Sequence, residues 1–361
     1  MKRVAKTLSA VVAVAITMAA VAAEETELDI GAMMRPVPAT AVLKEPGYYV
    51  WGASMVKDDK GVYHVYYARW KKEYGFRSWV TKSEIAHATG PSPSGPWTYS
   101  DVAIAPRGAQ HWDGLCAHNP NIHRFGGKYY LYYMGNTGDG NVTRKGLNWT
   151  HRNSQRIGVA VADTPYGPWR RSDRPAVDAS DYAAAPDALM TSNPAAAQRP
   201  DGSFIILYKA VGKKRPLPFG GPVVHLTAVS QSPTGPFVKS LKPLFTDGKA
   251  HFPAEDPYIW SQNGRMYAII KDQNGYFVNR KGRSLVLFES ADGESWTLAK
   301  HCFITGTELR WADGRTESLM YLERPQLFVD GGRPVALLVA VGPKDMAETY
   351  NVQIPLVDPG K

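Results

Sequence analysis

Residues 118–136 read HNPNIHRFGGKYYLYYMGN, and residues 255–272 read EDPYIWSQNGRMYAIIKD. Each stretch opens on polar residues before a proline, turns at glycine, and returns through aromatic and aliphatic residues to a polar end. That is the pattern of two short strands joined by a tight turn. The opening recurs at Trp51-Gly52-Ala53-Ser54, Ser192-Asn193-Pro194 and Glu323-Arg324-Pro325. With Ser54 taken as the counterpart of the prolines, the steps are roughly 63 to 74 residues. A unit of that length holds a four-stranded blade, and five such units around one axis make an all-β, five-bladed β-propeller with a central axial pocket.

A second marker falls between the first. Ser94-Gly95-Pro96-Trp97, Tyr166-Gly167-Pro168-Trp169, Thr234-Gly235-Pro236-Phe237 and the looser Asp292-Gly293-Glu294-Ser295-Trp296 follow strand-like runs such as RIGVAVADT and HLTAVSQS. Gly-Pro sets a turn and the aromatic residue begins the outer strand of the blade.

Residues 1–23 carry Lys2, Arg3 and Lys6 ahead of the apolar run LSAVVAVAITMAAVAA, the proportions of a secretory signal cleaved after Ala22 or Ala23. Residues 24–361 are then a single catalytic propeller domain. Export to the periplasm or the extracellular space is expected, with no membrane span once the signal is removed. The formal charge is +9, three of it from the signal. A basic balance favours acidic or sulfated polymers, but Lys71-Lys72, Lys213-Lys214-Arg215 and Arg280-Lys281 lie in loop-like stretches and read as solvated surface. Two cysteines, Cys116 and Cys302, form neither a disulfide framework nor a zinc pattern. The glycines of GDGNVTRKG precede no helical pattern, so no nucleotide loop is expected, and no nucleic-acid partner either. The polar insertion from Gly135 to Arg156 is a candidate cover for the pocket or a contact with another subunit of an oligomer.

The motifs TKSEIAHATGPSPSGPW, RGAQHWDGLCAHNPNI, TSNPA, EDPYIW and LERPQLF, taken in order, resemble the five-bladed propeller glycosidases of glycoside hydrolase families 43 and 117 and their bacterial relatives. The resemblance covers most of the chain after the signal and implies hydrolysis of a glycosidic bond at the hub. In family 43 the general base and a modulating aspartate lie on Asp-Pro openings, and the acid lies on a later Glu-x-Pro. Matching the order puts Asp256 at the modulator and Glu323 at the acid, and leaves Asn119 where the base belongs. An alternative register puts Glu255 at the acid but leaves Asn193 and Ser54 at both aspartate positions.

The chemistry of the residues agrees, because glycoside hydrolysis takes one protonated carboxyl and one ionised carboxylate. A replacement base is sought first at Asp113, in the Trp112-Asp113-Gly114 turn, and second at Glu84; an ordinary Asp-Gly turn and a strand-edge ion pair are the plainer readings of the two. Adjacent residues of a strand face opposite sides, so Glu255 and Asp256 both reach an axis only through a bulge. The partner of Glu323 decides its role, since pairing with Arg324 would depress a pKa that an acid catalyst needs raised. His118 is a candidate donor or acid, a role histidine takes in family 117. Asn119, Ser192 and Asn193 carry the donors and acceptors that sugar hydroxyls need. Lys209, Lys271 and Asp272 end inner strands and would line the far part of the channel, where structural ion pairing is the plainer reading. Trp51 and Trp112 offer stacking faces, with interblade filling as the alternative, and Arg107 offers a clamp for a substrate carboxylate or sulfate.

No catalytic metal is expected. The resemblance leaves room for a structural calcium in the axial channel, although no EF-hand-like acidic loop occurs. The expected activity is exo-acting, inverting removal of a terminal sugar from a plant or algal oligosaccharide or polysaccharide. Glycoside phosphorolysis and sugar binding without catalysis are the alternatives.

Overall fold

A computed structural model describes residues 27–143 and 146–358. The signal reading of residues 1–23 lies outside the described residues. The chain forms five four-stranded antiparallel sheets. The first comprises Tyr48–Lys57, Tyr63–Lys71, Glu84–Gly90 and Thr98–Ile104. The second comprises Cys116–Phe125, Lys128–Asn136, Arg156–Ala162 and the short Arg170–Arg171. Met190–Gln198, Phe204–Val211, Val223–Ser230 and Val238–Leu244 make the third, and Ala254–Gln262, Arg265–Asp272, Ser284–Ser290 and Thr297–Thr305 the fourth. In the fifth, Tyr321–Asp330, Arg333–Gly342 and Tyr350–Pro355 are completed by Val42–Leu43 from the other end of the chain. That strand exchange ties the last blade to the first and closes the ring.

Five hydrophobic clusters each draw on two neighbouring blades. Tyr66 and Ile85 meet Ile122 and Leu131 between the first and second. Ile157 meets Ile206 and Leu226 between the second and third. Ile205 and Leu207 meet Ile259 and Ile270 between the third and fourth. Tyr258 and Ile269 meet Leu327 and Leu337 between the fourth and fifth. Val65 and Tyr67 meet Phe328 and Leu338 at closure. Both faces of the inner strands are therefore buried, which explains their near-continuous apolar runs, while the outermost strands stay largely exposed.

The Gly-Pro-aromatic markers act between blades. Trp97 donates its Nε1–H to Gln353 Oε1 of the fifth blade at 2.6 Å. Trp169 stands edge-on to Tyr66 of the first at 5.6 Å, and Trp296 packs at 5.9 Å from Phe245 beside the third. In each case the aromatic ring reaches back to the preceding blade.

Every innermost strand carries a register shift at its opening. At that shift Gly52, Asn119, Asn193, Asp256 and Arg324 all have φ between 51° and 55°. The repeat is thus conformational as well as chemical, and it corrects one sequence alignment. Ala53, not Ser54, is the counterpart of the prolines, and Ser54 corresponds to Asn121 and Gln326.

Candidate functional site at the propeller axis

The bulge lets two consecutive residues of each blade turn inward. The residues with positive φ interlock around the axis: Asn119 Nδ2 donates to Asn193 Oδ1 at 2.8 Å, and Asn193 Nδ2 to Asp256 Oδ1 at 2.8 Å. Arg324 closes the chain by donating through its backbone N–H and Nη1 to Asp256 at 3.3 and 3.2 Å. Gly52 completes the five by leaving room, because a Cβ there would stand 3.4 Å from Arg324 Cγ and Nε. Asparagine and aspartate suit the left-handed conformation, since their short polar groups offset its cost; Arg324 is held there by Asp256.

The residue before each bulge supplies the next layer, namely Trp51, His118, Ser192, Glu255 and Glu323. Lys271 Nζ lies 2.7 Å from Glu255 Oε2, 2.9 Å from Glu323 Oε1 and 3.5 Å from Asp256 Oδ2. Lys209, at the equivalent place in the third blade, holds Glu255 Oε1 at 2.7 Å. Gln273 Nε2 adds a 3.1 Å bond to Glu255. Three carboxylates from two blades thus converge on one ammonium. The side chains of Glu255, Lys209 and Glu323 keep 18, 13 and 12 % exposure against 4 and 3 % for Asp256 and Arg324. The former three form the solvent-facing rim of the cluster and the latter two its floor.

Their protonation states diverge. Burial opposes ionisation of Glu255, but the charges and hydrogen bonds of Lys209 and Lys271 outweigh it and hold its pKa far below the carboxylate range. Burial pushes Glu323 upward; Lys271 pulls it down, Asp256 and Glu255 push it up again, and the net shift is upward. Lys271 is kept charged despite its burial by Glu255, Glu323 and Asp256. Burial, reinforced by Arg324 and Lys209, holds His118 neutral, and its Nδ1 lies 2.7 Å from Ser83 Oγ.

Arg324 Nε, Asn119 Oδ1 and Ser192 Oγ are buried without a hydrogen-bond partner among the described residues, which leaves donors and an acceptor at the axis for a polar ligand. An aromatic wall stands beside them: Trp51 meets Phe76 at 5.5 Å and Tyr321 at 6.1 Å, both edge-on, and Trp79 lies 5.0 Å from His118.

Several expected site residues are engaged elsewhere. Asp113 is fully buried, with Arg107 Nε at 2.6 Å, Tyr133 Oη at 2.6 Å and Arg171 Nη1 at 3.2 Å, and none of these partners belongs to the axial cluster, so it serves the scaffold. Arg107 spends its guanidinium on Asp113, Asp173 and the Ser172 carbonyl rather than facing a ligand. Trp112 stacks on Tyr133 and donates to Ser172 O, an interblade role. Glu84 pairs with Arg69 at 3.0 Å. Ser54 Oγ accepts from Ile122 N at 2.9 Å and ties the first blade to the second. Asp272 accepts from the backbone of Asn274, Tyr276 and Phe277 and fixes that loop. Among the described residues no three His, Cys, Asp or Glu side chains are grouped to hold a metal ion. Both cysteines are free.

Sequence reading missed Gln273, which follows the strand Arg265–Asp272 directly and reaches Glu255 from its end. It also missed Trp79 and Arg152. The latter lies in the short helix Trp149–Asn153 of the long insertion, and burial lowers its pKa to about 10 while the nearby Glu255 charge opposes that shift. Neither Trp79 nor Arg152 belongs to the repeat, so no pattern marked them.

The architecture is that of a five-bladed β-propeller. Neither a protein-family model nor a curated protein sequence matches the chain, but solved structures do. The fold is similar to that of Zg3597, a family 117 glycoside hydrolase of the marine bacterium Zobellia galactanivorans, with a TM-score of 0.61 and 17% identity over 86% of this chain and 85% of that one. It is similar to BT0996, solved as a complex with RGII, with a TM-score of 0.65 and 13% identity over 89% and 91% of the two proteins. The GH43_1 enzyme of Xanthomonas citri, complexed with xylotriose, gives 0.55 and 14% over 91% and 92%.

Proposed function

We propose that this chain is a glycoside hydrolase whose site is the carboxylate cluster at the propeller axis, with Glu323 as proton donor. The observation that carries the reading is the split between two carboxyl groups held by one ammonium: Glu323 is pushed toward the protonated form and Glu255 toward the ionised form. Such a split separates an acid from a base or nucleophile. Asp256 contributes the negative charge that helps keep Glu323 protonated.

With Asp113 and Glu84 committed to arginines, Glu255 is the carboxylate best placed to face Glu323. Because both grip Lys271, at 2.7 and 2.9 Å, the oxygens that face it are nearer each other than the roughly 6.5–9.5 Å of an inverting pair. This favours retention over the inversion expected from the sequence. Exo action is part of the proposal, because a site at the hub of a propeller suits a chain end. So is export, on the strength of the leader sequence. A substrate from plant or algal polysaccharides agrees with the glycans named for the structural neighbours.

Wild-type protein and the Glu323→Gln variant, assayed on a broad panel of oligosaccharides with product anomers followed by NMR, test the reading. Release of one monosaccharide of retained configuration by the wild type alone supports it, and turnover that requires added phosphate replaces it with phosphorolysis. Sugar binding without hydrolysis across the panel would instead support a catalytically silent propeller. That second reading is favoured by one observation: Asn119 occupies the bulge where the resemblance places a general base.

A further inference from the structure

We propose that a basic groove leading away from the axial carboxylates binds the negatively charged part of an oligosaccharide, so that the substrate class is an anionic glycan bearing carboxylate or sulfate groups. The substrate assignment rests on the glycosidase reading above.

A cleft of about 340 Å³ lies against the fourth and fifth blades, lined by Arg35, Arg280, Lys281, Arg283 and Arg310 with Glu308 as its acidic residue. None of the five cations is in an ion pair among the described residues. Arg35 donates to the carbonyls of Ala32, Met34 and Val357, which fixes its fork without neutralising it. Arg280 lies over Phe303 at 4.6 Å. Arg283 lies over Tyr321 at 4.9 Å and donates to Met320 O. Other surface cations, such as Lys57, Arg124 and Arg315, are neutralised by Asp330, Asp59 and Asp313; here five that are unpaired among the described residues line a single cleft. Unneutralised charge gathered in a concave wall raises the local concentration of anions, and guanidinium forks suit the oxygens of carboxylate or sulfate.

The cleft has a neighbour whose lining includes a hydrogen-bond partner of Glu255. It shares Gly282, Arg283 and Thr307 with a second cleft of about 510 Å³, which is also lined by Gln273 and Lys344. Gln273 is the residue that donates to Glu255. Tyr321, which carries Arg283, lies two residues before Glu323 in the same strand and meets Trp51. On this proposal a glycan with one end at the axial carboxylates runs along Gln273 and Arg283 to the cationic wall.

The test measures binding by calorimetry for the full chain and for the variants Arg280→Glu/Lys281→Glu and Arg310→Glu. Ligands are oligogalacturonates, sulfated galactan oligosaccharides and neutral oligosaccharides of equal length, each at two salt concentrations. Arg280→Gln/Lys281→Gln and thermal melts guard against misfolding. The expected result is at least about tenfold tighter binding of one charged series than of the neutral one, weakened by salt and abolished by charge reversal. Which series binds separates carboxylate from sulfate. Equal affinity for charged and neutral glycans, charge reversal without effect, or tighter binding of a DNA oligonucleotide than of any glycan overturns the inference. Hydrolysis of a neutral substrate that survives charge reversal would leave the glycosidase reading standing while this one falls.

Discussion

Lys271 Nζ stands 2.9 Å from Glu323 Oε1, yet the pKa of Glu323 is raised. The lysine is shared: Glu255 holds the same ammonium at 2.7 Å and Asp256 approaches it to 3.5 Å. Its charge is divided among three acids, and burial with the two neighbouring carboxylates decides the outcome for Glu323. Four consequences can be measured.

Replacing Glu323 with Gln preserves the shape and removes the proton. General acid catalysis contributes about 10²- to 10⁴-fold, so kcat should fall by about that factor while the circular dichroism spectrum stays unchanged. A variant with wild-type kcat would take Glu323 out of the chemistry.

The pH profile should respond to Asp256. Glu323 acts when protonated, so activity declines as pH rises through its elevated pKa. Asp256→Asn deletes a charge that raises that pKa, and asparagine tolerates the left-handed backbone, as Asn119 and Asn193 show at equivalent positions. The alkaline limb of kcat/KM should therefore move to lower pH. A limb that stays in place would assign it to another group.

Fold and site differ in how far the sequence revealed them. The propeller was legible because it is periodic: five polar openings and four Gly-aromatic turns recur in phase, and each performs the same job in its blade. Glu255, Asp256 and Glu323 were legible because they occupy the repeated openings. The role of Asp113 was not, since Arg171, a partner that fixes its carboxylate, lies 58 positions away in sequence and meets it only in the folded sheet. The basic groove was hidden likewise. Arg280-Lys281 reads as an isolated charged pair until folding sets it beside Arg35 and Arg310.

Lys271→Met should destabilise the protein in a pH-dependent way. Removing one partner from a buried ion network costs about 3–5 kcal/mol. In the wild type the depressed pKa of Glu255 gives stability that is present above the ordinary carboxylate pKa and lost as pH falls through the folded value. In the variant Glu255 and Glu323 are buried with less compensation and their pKa values rise, so protonation relieves them. The stability gap, read from melts across pH, should be largest near neutrality and shrink toward about pH 4. A gap independent of pH would mean that Lys271 acts through packing.

Asp113→Asn separates scaffold from site. Losing the carboxylate leaves Arg107 and Arg171 short of a counter-charge, at a cost of about 3 kcal/mol, so the melting temperature should drop. Activity per folded molecule should stay within about twofold of wild type, because the axial cluster is untouched. A large loss of kcat at unchanged stability would restore Asp113 as the base.

The most direct measurement is a crystal structure of the Glu323→Gln variant with an uncleaved oligosaccharide. The account predicts the glycosidic oxygen within hydrogen-bond distance of the substituted side chain and the anomeric carbon facing Glu255, with Asp256 and Arg324 beneath the sugar. A sugar bound away from the axis, or one whose glycosidic oxygen is out of reach of position 323, would contradict it.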